Sequence, residues 1–406
     1  MPFELFVALR YLRDGRLQTA LILTGIAVGV GVIIFLSALI TGLQEGLIQK
    51  TLGSQPLVVV RPPEETPRAL PTSPEGVLES FVIERPPERV RSILDWQATA
   101  EAVRGMDGVT AVAPTISGSG IAARGSGFLS LTLRGIEPPS YNTVVDLESR
   151  IIQGHLDLEG FQAVLGTRLS ALLGVPLGGR IRLQTSGDRG GVYTISGIFD
   201  YGSTDLNERL VFVSLRSAQT LFDLPGGVSS LEVRGNDIFD ADALAHRIAD
   251  RTGMDTESWI ARNEDLLVGL RSQTLSSVMI QTFVILAVAL GIASVLSVSV
   301  VQRARDIGIL RATGTRAGTV TRVFLLQGAI LGTIGSLFGI ALGTLLALLF
   351  AGLARGADGT ALFPISLTAP LYLRSVGIAL GVGLLAAVLP ARNAAQMDPA
   401  KVIRDG

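Results

Sequence analysis

Cysteine is absent from the 406 residues. Disulfides, thiolate metal sites, iron–sulfur clusters and a lipidated N-terminal cysteine are thereby excluded. Lysine occurs only as Lys50, after Gln49, and Lys401, after Ala400. No Gly-Lys-Ser/Thr can form, so the chain has no P-loop to cradle ATP phosphates. Histidine is limited to His155 and His246, far apart and outside any carboxylate motif, and both read as surface residues. Neither a Gly-x-Ser-x-Gly elbow nor a His-Glu-x-x-His helix occurs. Asp200, Asp205 and Glu208 cluster, but as solvated turn residues. No catalytic residue, no metal ligand and no bound cofactor is expected.

What the chain has in abundance is apolar length. Hydrophobic residues make up 48% of it. They concentrate in four stretches: Leu17–Leu43, Met279–Val301, Val323–Leu353 and Leu373–Leu389. Eighteen or more nearly uncharged apolar residues span a bilayer as a helix. The first stretch exceeds a signal-peptide core and lacks a small-x-small site, so it reads as a signal anchor. The expected fold is a four-helix membrane protein with a large α+β domain inserted between helices 1 and 2. The expected segments are an amphipathic helix over 1–16, span 1 with a stalk over 17–48 and the inserted domain over 49–270. Stalk and span 2 follow over 271–301, a cytoplasmic helix over 302–322, spans 3 and 4 over 323–353 and 372–390, and a tail over 391–406.

Charge orients this layout. The chain has 34 basic and 35 acidic residues; residues 49–270 hold 20 and 28 of them, leaving 14 and 7 elsewhere. The basic excess gathers at particular span ends: Arg10, Arg13 and Arg16; Arg303, Arg305, Arg311, Arg316 and Arg322; Arg392, Lys401 and Arg404. The positive-inside rule places all three clusters, and both termini, in the cytoplasm, and 49–270 outside. The spans hold almost no ionisable groups, which argues against a polar substrate path through them.

Between the spans, Phe3–Arg13 reads either as an amphipathic surface helix or as an extension of span 1. Thr41–Thr51 and Asp265–Leu275 can pair as a stalk. The inserted region alternates strand and helix signals, with Leu57–Val60, Val109–Val112, Ser130–Arg134, Arg180–Leu183, Val192–Phe199, Leu210–Val213 and Ser229–Val233 as strands. Glu88–Arg104, Thr167–Leu173, Ser214–Phe222 and Asp240–Arg251 read as helices, the third with a Ser N-cap. A division into two lobes is expected near 115–160. Residues 61–89 hold seven prolines and read as an excursion or a contact loop. Glycines recur at helical spacing: Gly328, Gly332, Gly335, Gly339 and Gly343 in span 3, Gly25 and Gly29 in span 1, Gly377 and Gly381 in span 4. Such spacing allows close helix approach, within one subunit or between two.

The segment from Val301 to Arg316 combines charge with an apolar stripe at Ile307, Ile309 and Leu310. It reads as a short helix able to enter a groove of a partner, or as a plain basic loop. Its pattern Arg303-x-x-Asp306-Ile307-Gly308-x-Leu310-Arg311-Ala312-x-Gly314 resembles the FtsX-like permease domain of ABC transporters. Asp306 stands where Glu is commoner. Ala8–Leu12 and the tail from Pro390 through Pro399 to Arg404 resemble the same family. Val164–Gly179 and Ser196–Phe199 are similar to the core-domain signature of MacB and LolC/LolE proteins.

The resemblance implies two paired permeases, the second copy identical or a paralogue. Each docks a separate cytoplasmic ABC ATPase, which supplies ATP and magnesium. Arg303, Arg305, Asp306, Ile307, Gly308, Leu310, Arg311 and Gly314 would couple the two, and Gly25, Gly29, Gly328, Gly332, Gly335 and Gly339 would pack the helices. The expected activity is mechanotransmission in the bacterial inner membrane: release of lipoproteins or export of amphiphiles, with lipid as surroundings. The alternatives are MacB-like efflux through a periplasmic adaptor and outer-membrane channel, and FtsX-like control of cell-wall hydrolases. Nucleic acid is not an expected partner.

Overall fold

In the computed structural model of the chain, described over residues 3–63, 90–125, 127–185, 189–353 and 365–397, every apolar stretch lies inside one long helix. These are Arg16–Leu52, Glu264–Gln302, Ala317–Leu353 and Ala369–Gln396, each long and apolar enough to cross a membrane. Most of the proline-rich excursion, and the tail residues Pro399, Lys401 and Arg404, lie outside the described residues. Two compact units are present: residues 1–47 with 268–406, and residues 48–267.

In the first unit the helices run past their apolar cores. Glu264–Gln302 has 39 residues, about 58 Å at 1.5 Å per residue, against about 30 Å of hydrocarbon. The first two long helices are tied together polar group to polar group. Gln44 Nε2 donates to Thr274 Oγ1 (2.8 Å), and Gln281 Nε2 donates to Ser37 Oγ (3.1 Å). Helix Phe3–Asp14 stands apart from the first long helix, with Gly15 as a turn between them. Its Ala8 is fully buried, while Phe3, Phe6 and Leu9 are exposed. The four long helices share an apolar core of Ile22, Ile26, Val30, Ile34, Ile292, Leu296, Leu331, Ala379 and Ala387.

The second unit carries ten strands: β1 Val58–Arg61, β2 Val109–Arg124, β3 Gly127–Ile136, β4 Ile151–Gly154, β5 Gln162–Gly166, β6 Arg180–Thr185, β7 Gly190–Phe199, β8 Leu210–Ser214, β9 Ser230–Gly235 and β10 Asp255–Ser258. Their order is β10-β1-β9-β2-β3-β8-β5-β7-β4, with β6 pairing both β2 and β7. Strand β6 therefore closes β2, β3, β8, β5, β7 and β6 into a hydrogen-bonded ring. Strands β9, β1 and β10 extend from the ring as an open wing. Strand β2 pairs with β9 up to Thr115 and with β6 from Gly120. The expected lobe division thus meets a change of partner along one strand, while the hydrogen bonding runs through unbroken.

The strand signal at Val109–Val112 marks only the start of a sixteen-residue strand. Its Ser117-Gly-Ser-Gly120 segment looks like a loop, yet Ser117, Gly118, Ser119 and Gly120 pair with Arg134, Leu133, Thr132 and Leu131. Thr167–Leu173 forms the expected helix and stops at Gly174, whose φ of 61° is left-handed. Ser214 Oγ caps helix Leu215–Phe222 by accepting from Ser217 N at 3.2 Å. Helices Pro138–Val144 and Thr204–Arg209, both short, carry no periodic signal.

The two faces of the wing differ. Val58, Val60, Leu231 and Val233 point into the main apolar core with Leu133, Leu165, Leu183 and Val211. The alternate positions place Glu232 between Val59 and Ala113 in register, and Asp255 opposite Arg61. The chain enters and leaves this unit side by side. Asn263 Nδ2 donates to Gln55 Oε1 (3.3 Å), Arg262 Nη2 to Pro56 O (2.6 Å) and Trp259 N to Leu57 O (2.7 Å), and Ser258 pairs with Val58.

Candidate functional site

The charged segment after the second long helix folds as a separate nine-residue helix, Ala304–Ala312. It starts at Arg303, carries Asp306 in its first turn and Arg311 in its last, and so matches the helix dipole at both ends. Thr315 N donates to Leu310 O and Gly314 N to Arg311 O, both at 3.1 Å. This is the double closure of a Schellman motif, and it needs a left-handed residue at Gly314, whose φ is 98°.

The eight residues expected to couple to a partner do not share one face. Ile307 is 1% exposed and packs with Val300, Val320, Phe324, Ala391 and Ala394, residues of three other helices. Gly308 is also buried. Leu310 is half-buried and lines a small apolar gap with Phe3, Val7, Tyr11 and Phe324.

Arg303 turns to the N-terminal helix: its guanidinium lies 4.3 Å from the Tyr11 ring centroid and Nη2 donates to Tyr11 O at 2.7 Å. Burial pushes the Tyr11 phenol above its ordinary value, and the charge of Asp306 adds to that shift. Arg311 Nη1 donates to the carbonyls of Ala395 (2.9 Å) and Met397 (2.5 Å), where helix Ala369–Gln396 ends. Those carbonyls are the orphan acceptors of a helix C-terminus.

What remains outward is Arg305, Asp306 and Ile309, with Thr313, Gly314 and Arg316 beyond. Ile309 is 49% exposed. Two charges flanking one exposed isoleucine form a compact face on a helix braced from behind. The stripe of Ile307, Ile309 and Leu310 thus splits, one residue inward, one outward and one between, as 100° per residue dictates.

The glycines sort in the same manner. A Cβ on Gly328 would collide with Gly383 O, and one on Gly332 would sit 2.7 Å from Ala379 O, so these two face the fourth long helix. A Cβ on Gly335 or Gly339 would lie 2.6 Å from Ile26 or Val30, and these face the first. Gly29 meets Val288 of the second. A Cβ on Gly25, Gly377 or Gly381 would meet nothing within 4 Å. Two glycines at close approach, Gly31 and Gly383, stand out of the spacing that marks the others.

A crevice of about 280 Å³ lies at the opposite end of the spans, lined by Ser37, Gln44, Thr274, Gln281 and Arg374. Among the described residues no group of three or more His, Cys, Asp or Glu could hold a metal ion. Asp205 pairs with Arg209 on an exposed helical turn, and Asp200 accepts from Asn207. His246 meets Asp242 O on its own helix.

Comparison with known proteins accords with this layout. The family model of the MacB-like periplasmic core domain matches residues 19–251, more than half of the chain, and that of the FtsX-like permease C-terminal region matches 278–399. The lipoprotein-releasing system transmembrane protein LolC of Neisseria meningitidis serogroup B is 23% identical over 435 residues, with 99% of both chains covered. The macrolide export ATP-binding/permease protein MacB of Marinobacter nauticus is 27% identical over 416 residues, which cover 97% of this chain but 59% of that relative. The crystal structure of the periplasmic region of MacB from Actinobacillus actinomycetemcomitans aligns at TM-score 0.35 and 14% identity, over 54% of this chain and 95% of that one. Four apolar helices, the match to the MacB-like core-domain model and the likeness to LolC make this a bacterial inner-membrane protein with a periplasmic-type domain. The chain belongs to the FtsX-like ABC transporter permeases that carry a MacB-like periplasmic core domain.

Proposed function

We propose that the chain is the permease subunit of a lipoprotein-releasing machine, driven by a separate cytoplasmic ATPase. The carrying observation is the bracing of helix Ala304–Ala312. Arg303 fastens it to the N-terminal helix, Ile307 to the cores of the second, third and fourth long helices, and Arg311 to the end of the fourth. A push on Arg305, Asp306 and Ile309 is then shared by the whole membrane unit rather than absorbed by a loose loop.

The lipoprotein assignment rests on likeness to LolC along nearly the full length of both chains. The ATPase must come from another chain, because this one lacks a P-loop. In this reading both termini and residues 302–322 are cytoplasmic, and residues 49–270 are periplasmic. A second permease, identical or paralogous, completes the machine, and Gly25, Gly377 and Gly381 are the open small residues available to meet it. ATP and magnesium belong to the partner. In this reading the crevice near Gln281 and Arg374 is the place at which an amphiphile leaves the bilayer.

The test is affinity purification of the full chain from its native membrane, followed by assay of ATP-dependent lipoprotein release in proteoliposomes. The expected result is a co-purifying ATPase, and its loss in the Arg305→Glu/Ile309→Asp variant with an unchanged melting temperature. Equal ATPase recovery and equal release by that variant would remove the assignment.

A further inference from the structure

A cavity of about 430 Å³ opens on the polar face of the wing in the second unit. Arg61, Arg91, Arg134 and Arg262 border it, together with Glu232 and Asp255. Each guanidinium has five N–H donors, and each commits one terminal nitrogen to the protein. Arg61 Nη1 meets Glu257 at 3.1 Å, and Arg91 Nη1 meets Pro63 O at 3.2 Å. Arg262 Nη2 meets Pro56 O at 2.6 Å, and Arg134 Nη1 meets Tyr141 Oη at 3.1 Å and Glu232 Oε1 at 3.5 Å. The Nε atoms of Arg134 and Arg262 are buried and have no partner among the described residues.

Glu232 is the second observation. It is 2% exposed and lies in the middle of the wing. Its Oε1 accepts from Arg134 and Thr115, but its Oε2 is buried without a partner among the described residues. A buried carboxylate oxygen with no donor is costly, so such groups are rare in folded proteins. Ser229 and Ser230 add hydroxyls to the same wall.

Four arginines and two carboxylates, Glu232 and Asp255, line the cavity, and Glu257 pairs with Arg61 at its rim, so positive charge is in excess. Desolvation holds the Arg262 guanidinium below its ordinary value, and a nearby anion would oppose that shift. The volume suits a small molecule. Apolar ligands are disfavoured by walls of arginine, carboxylate and serine.

We propose that this cavity binds a small hydroxylated oxyanion, a sugar phosphate or sugar acid, with its anionic group clamped by the arginines and a hydroxyl donating to Glu232 Oε2. Guanidinium is the side chain best shaped for two-point contact with such oxyanions. Arg61 ends β1 and Arg262 ends the helical turn Trp259–Arg262 after β10, so an occupant would bridge the incoming and the outgoing segments of the unit.

The test is calorimetric titration of the full chain in detergent micelles. The probes are glucose 6-phosphate, glucuronate, glucose and inorganic sulfate, the last bringing an anion with no hydrogen to donate. Glucose 6-phosphate or glucuronate is expected to bind, and whichever is tighter identifies the anionic group. Glucose is expected to give no signal, and sulfate to bind at least about tenfold more weakly. Arg61 and Arg91 are exposed at the rim, so Arg61→Gln/Arg91→Gln keeps the buried floor intact and is expected to weaken binding about tenfold or more. Absence of binding by both organic anions at millimolar concentration overturns the proposal. So does unchanged affinity in the double variant, or sulfate binding as tightly as the better organic anion.

Discussion

The Arg303 guanidinium lies over Tyr11, 4.3 Å from the ring centroid, and donates to that residue's carbonyl at 2.7 Å. Two segments 292 residues apart in sequence are joined by one side chain. An isolated basic loop would leave Arg303 in water. Here it is 14% exposed and also faces Asp14 at 3.7 Å.

Arg303→Leu is expected to destabilise the membrane unit by about 1–3 kcal/mol, through the lost charged hydrogen bond and the lost ring contact. Arg303→Lys should fall between, since it retains the charge but not the planar fork. Thermal unfolding of both variants in micelles measures the order.

Gly335→Leu and Gly339→Leu are expected to cost at least about 1–3 kcal/mol each, because their neighbours Ile26 and Val30 sit on a facing helix and have no room to retreat. Gly25→Ala and Gly377→Ala meet open space and should leave the melting temperature of the isolated chain unchanged. Equal losses across the four would contradict the sorting of the glycines.

Gly314→Val places a β-branched side chain at φ 98° and should cost about 1–3 kcal/mol locally. Hydrogen exchange at Thr315 and Gly314 amides, which close the motif, should speed up before exchange in the long helices does.

Tyr201 has a buried hydroxyl with no partner among the described residues. Tyr201→Phe should therefore be neutral or stabilising, by up to about 1 kcal/mol. The sign with pH follows from burial, which raises the phenol pKa of Tyr201 and Tyr141 in the folded state. The unfolded chain loses these protons first, near pH 10, so the contribution is complete below that pH and is lost as pH rises further. Denaturant titrations from pH 8 to 11 should show a shallower alkaline decline in Tyr201→Phe than in the parent chain.

The long apolar helices and the short charged one are legible in composition and periodicity because both signals are local. The facing of that short helix is not. Nine residues are two and a half turns, and Ile307, Ile309 and Leu310 mark no single stripe. Which of them is buried depends on Phe324 and Ala391, contributed by other helices. The ring of strands is equally hidden, because β2 meets β6 and β9 far along the chain and looks like a loop at its glycines. Glu232 in Leu-Glu-Val-Arg reads as the solvated polar half of an alternating strand, yet it is buried in the wall of the cavity on that face. No lobe boundary appears near 115–160 among the described residues: residues 48–267 form one compact unit, and there β2 exchanges β9 for β6 as its neighbour.

The side-by-side entry and exit of the inserted unit gives it the character of a clasp. Gln55, Pro56, Leu57 and Val58 are stitched in turn to Asn263, Arg262, Trp259 and Ser258. These two runs lead directly into the first and second long helices. A change in spacing between those helices would load this short row of bonds. The row is antiparallel, so a spreading force opens it one rung at a time, whereas a sliding force strains all the rungs together. The domain is consequently compliant to separation of its two roots and stiff to their relative sliding.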